Sequence, residues 1–143
     1  MAQPRNVRWR YWIPLFVAVL ITHLFSTDTF SANETFRIIV PILRFLVPDM
    51  SPGGIELLHG VLRKAGHVTE YFIVGLLAYR AFQHGQLFTT RVKTAAILFV
   101  VVAAMSDEAQ QLLTATRIGS ILDVGYDCVG GILGVWWSRA NDS

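Results

Sequence analysis

The chain has 143 residues, 53% hydrophobic and 15% charged, whereas a soluble globular domain usually carries about a quarter charged residues. With 12 Lys and Arg against 10 Asp and Glu and no dense basic run, the net charge of +2 argues against a nucleic-acid partner. The hydrophobic content excludes intrinsic disorder, and a lone cysteine, Cys128, excludes a disulfide scaffold.

This composition predicts an all-α integral membrane protein, one domain over residues 1–143 with four membrane-crossing helices. Crossing roughly 30 Å of hydrocarbon takes about 20 helical residues. Four apolar stretches approach that length, at residues 9–25, 62–82, 92–112 and 120–137. The first carries Pro14 in its opening turn, where a missing N–H does little harm. Arg5, Arg8 and Arg10 precede it as in a signal peptide, but no small-residue cleavage site follows Phe25, so it reads as a retained helix.

Residues 26–61 read as an outer loop. An apolar-rich stretch from Phe36 to Val47 is interrupted by Pro41, and Pro48, Pro52, Gly53 and Gly54 break the chain before the run from Ile55 to Leu62. This pattern predicts two short interfacial or re-entrant helices, Ser51 capping the second and Pro52 opening it. A fifth span is the alternative. Basic residues cluster before the first span (Arg5, Arg8, Arg10) and between the second and third (Arg80, Arg91, Lys93), with Arg117 and Arg139 alone in the later connections. The first loop also carries Arg37, Arg44, Arg63 and Lys64, which weakens the bias, yet both termini on the cytoplasmic side fit best. Trp9, Trp12, Trp136 and Trp137 then lie at inner helix ends as interfacial anchors, and His23 and His59 read as interfacial.

Glu70, Asp107, Glu108, Asp123 and Asp127 lie in or beside these spans. Each would cost about 2.5–3.5 kcal/mol facing lipid at a helix centre. Helical spacing offers a way out. Lys64, His67 and Tyr71 share one face, bordered by Glu70 and continued by Gly75 and Ala78. Glu108 and Gln111 form a stripe beside Asp107, and Asp123, Asp127, Gly130 and Gly134 fall on one line. Gly130 and Gly134 also form a G-x-x-x-G, a pattern that lets membrane helices approach closely. Because spans alternate in direction, the start of the second, the end of the third and the start of the fourth meet at one surface. Lys64, His67, Glu70, Asp107, Glu108, Gln111, Arg117, Asp123 and Asp127 are expected to converge there in an outward-facing polar cup.

Three blocks of this sequence resemble the signature of the VanZ-like family of small bacterial membrane proteins. Lys64-Ala65-Gly66-His67-Val68-Thr69-Glu70-Tyr71 matches K-x-x-H-x-x-E-Y, and Ser106-Asp107-Glu108-Ala109-Gln110-Gln111 matches S-D-E-x-x-Q. Arg117 followed by Asp123, Asp127 and Gly130 matches R-x5-D-x3-D-x2-G. The resemblance covers residues 62–135 and leaves the first 60 residues outside it. It implies a bacterial cytoplasmic membrane location, and the family takes its name from an accessory protein associated with teicoplanin resistance.

An anionic cup with a few cations admits several chemistries. In head-group recognition, Lys64 and Arg117, helped by Arg63, hold a phosphate, and Tyr71, Asp107, Gln111 and Asp123 complete a binding surface. The partner would be a membrane lipid or lipid-linked envelope precursor, with glycopeptide or lipopeptide antibiotics competing for the region. In the alternative, a hydrolase or transferase, His67 acts as general base or acid, oriented by Glu70, Glu108 or Asp127. A hard divalent cation such as Mg²⁺ or Ca²⁺ would suit the carboxylates better than zinc, although one His leaves room for a transition metal; no H-x-x-x-H or H-E-x-x-H spacing is present. A proton pathway fits poorly, because the acids gather at one surface. A purely structural role would pair Lys64 with Glu70 and Arg117 with Asp123.

Overall fold

The computed structural model describes residues 8–27, 32–85, 91–113 and 120–141. Five helices follow one another: α1 (Trp9–Phe25), α2 (Ala32–Leu46), α3 (Pro52–His84), α4 (Val92–Leu112) and α5 (Ile121–Asn141). The bounds of α1 and α4 are those expected from hydropathy, and α5 runs four residues past the expected end. No strand occurs among the described residues.

The loop between the first and second stretches differs from expectation. Ser51 does cap a helix, its side chain accepting the Gly54 N–H at 3.2 Å, with Pro52 in the first turn. That helix is not a separate short element. It continues without a break through the expected second span, giving 33 residues or roughly 50 Å at 1.5 Å per residue. Gly60 and Gly66 do not interrupt it, because nothing after Pro52 removes a backbone donor. Only α2 stands as an independent helix in this region, and it runs through Pro41.

α3 is the centre of the molecule, packing against each of the other four helices. Its principal partner is α5, and the two run parallel. A Cβ on Gly130 would strike the Val68 carbonyl oxygen, and one on Gly134 would strike that of Phe72. Positions four apart on α5 thus meet positions four apart on α3, the close approach expected of the G-x-x-x-G pattern. α1 and α4 run the other way. At one end of the bundle the Arg8 N–H bonds the Gly85 carbonyl at 3.3 Å. At the other, Ser26, the C-cap of α1, reaches α4.

The apolar core lies between Trp12 and Leu15 of α1, Val74, Ala78, Ala81 and Phe82 of α3, Ala96 of α4 and Val135 of α5. Trp12 is not an interfacial anchor: it is 6% exposed, packs edge-on against Phe82 at 5.3 Å and donates its indole N–H to the Gly85 carbonyl at 3.4 Å. Trp9, Trp136 and Trp137 are exposed. His59 is also inside rather than interfacial, meeting the Phe36 ring edge at 5.2 Å.

Among the described residues no helix is long and apolar enough to cross a membrane. The reasons are local. α1 has 17 residues, α4 ends in Ser-Asp-Glu-Ala-Gln-Gln-Leu, and α5 begins with two aspartates. α3 has the length, but Glu56, Arg63, Lys64, Glu70 and Arg80 are spread along it.

Candidate functional site

The polar residues gather where the middle of α3, the C-terminal part of α4 and the N-terminal part of α5 meet. One donor atom from each of His67, Asp107, Glu108 and Asp127 lies within 4.8 Å of the other three. Residues 60 positions apart become direct neighbours: His67 Nδ1 stands 2.9 Å from Asp127 Oδ1. The convergence expected from helical spacing is therefore present. The cup is not open, however. Asp107, Glu108, Gln111, Asp123 and Asp127 are all buried, and Asp127 is 0% exposed.

Each carboxylate is oriented by a specific donor. Asp107 accepts the Ser26 hydroxyl through Oδ1 and the Gln111 amide through Oδ2 at 3.4 Å. Glu108 accepts the Ser120 backbone N–H through Oε2 at 2.7 Å, which ties the end of α4 to the start of α5. Asp123, in the first turn of α5, accepts from Arg63 at 3.5 Å. An acid there also suits the positive end of the helix dipole. Among the described residues, three buried polar atoms in this region have no hydrogen-bond partner: Glu108 Oε1, Asp127 Oδ2 and the Tyr71 hydroxyl. An unsatisfied buried polar group costs about 1–3 kcal/mol.

Other expected members sit elsewhere. Lys64 is exposed, with its ammonium 5.1 Å from the Tyr126 ring centroid rather than among the acids. Among the described residues the cation on Asp123 is Arg63; Arg117, expected there, lies outside the described residues. Glu70 is half-buried and does not belong to the four-residue cluster. Tyr71 is fully buried against Val100 and Ala104, beneath the acids.

Sequence reasoning missed two contributors, both on α1. Ser26 read only as a rejected cleavage site, yet its hydroxyl holds Asp107. His23 read as interfacial, yet its carbonyl accepts from Gln110 at 3.1 Å and its ring lies 3.4 Å from the Ser106 hydroxyl. The available signal was Thr22, His23 and Ser26, polar side chains at helical spacing on the inner face of an apolar helix.

No curated protein and no solved structure matches the chain. The VanZ/LLP1 family model matches residues 9–140. That match takes in α1 and α2 as well as the three polar blocks, so the N-terminal region left outside the resemblance is part of the family's domain. With nearly its whole length matched, the chain belongs to the VanZ/LLP1 family.

Proposed function

We propose that this protein is embedded in a bacterial cytoplasmic membrane and recognises the head group of an envelope lipid, or lipid-linked precursor, at its buried polar cluster. The observation that carries this reading is the inversion of the usual surface. The acids that lower the hydropathy of α4 and α5 point inward, while Leu98, Val102, Met105, Val129, Ile132 and Leu133 on the same helices point out. α1 is likewise lined outside by Ile13, Phe16, Val17, Leu20 and Ile21. Apolar side chains facing outward on three helices suit a non-aqueous neighbour. Four helices whose outer faces are apolar can cross lipid together although none is uniformly apolar, because inward-facing polar groups are shielded by the bundle.

The ends of the bundle support the orientation with both termini cytoplasmic. Arg8, Arg10, Arg80, Arg91 and Lys93 mark the end opposite the acids, where exposed Trp9, Trp136 and Trp137 also lie. A cleft there is lined by Arg10, Tyr11, Pro14, Leu77, Arg80 and His84. The acidic cluster then faces the outer leaflet. Exposed Arg63 and Lys64 at its rim suit a lipid phosphate, and the carboxylates beneath suit sugar hydroxyl or amide donors.

Mass spectrometry of co-purified lipids tests this reading. Wild-type protein in mild detergent should retain a lipid class that a His67→Ala variant loses at least ten-fold. Equal retention by both would overturn it. Family membership is consistent with a role in glycopeptide or lipopeptide resistance, and teicoplanin sensitivity of cells with and without the gene measures that role directly.

The 2.9 Å contact between His67 and Asp127 favours a second reading, acid–base processing of the bound lipid. A carboxylate on one ring nitrogen fixes the tautomer and leaves the other free to move a proton. Turnover of the retained lipid by wild type but not by Asp127→Asn would establish processing over binding alone.

A further inference from the structure

We propose that His67, Asp107, Glu108 and Asp127 form a binding site for one divalent first-row metal ion, of the manganese or zinc class. Four donor atoms from three helices lie within 4.8 Å of one another. Opposite ligands on a metal with bonds of about 2.1 Å stand about 4.2 Å apart, so shifts of a few tenths of an ångström would complete a coordination shell. Clustered acids alone would not argue for an ion. The buried oxygens do. Among the described residues Glu108 Oε1 and Asp127 Oδ2 have no hydrogen-bond partner, on residues that are 5% and 0% exposed.

In both residues the other oxygen is already held. Glu108 Oε2 accepts from the Ser120 N–H, and Asp127 Oδ1 lies against His67 Nδ1. On Glu108, one oxygen anchored by a backbone donor and the other left for the ion is how outer-shell hydrogen bonds orient metal carboxylates; on Asp127 the anchor is His67 itself. Asp107 is held at both oxygens, Oδ1 by the Ser26 hydroxyl and Oδ2 by the Gln111 amide, so an ion would share one of them.

A single imidazole among carboxylates disfavours magnesium and calcium, which take oxygen ligands, and suits manganese or zinc.

The site shares its pocket with the head-group reading but does not rest on it, since metal binding is measured on delipidated protein. Full-length protein is stripped with chelator in detergent, incubated separately with Mn²⁺ and Zn²⁺, desalted and assayed by inductively coupled plasma mass spectrometry. Wild type should retain close to one equivalent of at least one of the two metals. Glu108→Gln and Asp127→Asn should each lower retention ten-fold or more, while Gln83→Ala, at an exposed position near the opposite end of α3, should not. Glu108→Gln keeps the acceptor for the Ser120 N–H, so a native circular dichroism spectrum with lost retention distinguishes ligand loss from unfolding. Wild type that holds neither metal above a protein-free blank would overturn the proposal. So would undiminished retention in a folded Glu108→Gln protein.

Discussion

His67 and Asp127 face each other one turn from the point where Gly130 lies against the Val68 backbone. The two facts are mechanically linked. Val68 follows His67 on α3, and Gly130 lies three residues after Asp127 on α5, so the distance between the helix axes at that crossing sets the separation of imidazole and carboxylate. A second glycine, Gly134, repeats the contact at Phe72. Chemistry at the cluster therefore depends on residues that carry no chemical group.

Adding one methyl group tests that link. In Gly130→Ala the new Cβ meets the Val68 carbonyl, which is backbone and cannot swing aside. Overpacking of this kind destabilises by about 1–3 kcal/mol. The variant should show a lowered melting temperature in detergent and reduced lipid retention, although every polar residue is intact. Gly125→Ala, on the same helix with nothing within 4 Å of its added Cβ, should leave both unchanged.

Ser26→Ala removes the hydroxyl that α1 contributes to Asp107. A hydrogen bond to a charged group contributes about 1.5–3 kcal/mol, so thermal stability should fall by that order. Asp107 keeps the Gln111 amide as a donor, which places the expected loss toward the lower end of the range. Ser26→Thr, which retains the hydroxyl, should recover most of the loss. An unchanged melting temperature in Ser26→Ala would separate α1 from the site.

The convergence of the acids was legible because helical periodicity and alternating span direction are enough to bring positions 67, 108 and 127 to one end of a bundle. The pairing within the cluster was not. Sequence spacing assigns a residue to a face but not to a partner, so Arg63 was not singled out for Asp123; the angular position of α3 against α5 brings it there. The length of α3 was missed for a related reason. The run from Ile55 to Leu62 reads as a short helix separate from the span at 62–82, whereas Pro and a Ser cap at a helix start are compatible with any length downstream. Trp12 was misplaced because interfacial preference is a tendency of indole rings, while its burial depends on the facing surface of α3, which lies 70 residues away.

Trp12→Ala offers a control at the opposite end of the molecule. The side chain is buried against Phe82 and the Gly85 carbonyl, so truncation should cost about 3–5 kcal/mol. Its effect is expected in melting temperature alone. At temperatures where the variant remains folded, lipid and metal retention should equal wild type, since among the described residues the cluster and the core around Trp12 share no member. Loss of retention in proportion to stability would show that the bundle responds as one unit.

Arg63→Ala and Lys64→Ala separate the roles of two adjacent cations. Arg63 is 42% exposed and Asp123 only 6%, at 3.5 Å. An exposed pair would contribute under about 1 kcal/mol, but here the acid that loses its partner is buried, so the loss should reach roughly 1–2 kcal/mol. Lys64 sits over the Tyr126 ring at an exposed position, where a cation–π contact contributes about 0.5–1 kcal/mol. Melting curves should therefore rank Arg63→Ala below Lys64→Ala. Combining Arg63→Ala with Asp123→Asn should restore part of the loss, because the unpaired buried charge has been removed; a double variant no more stable than Arg63→Ala would mean that Asp123 takes its stabilisation from elsewhere.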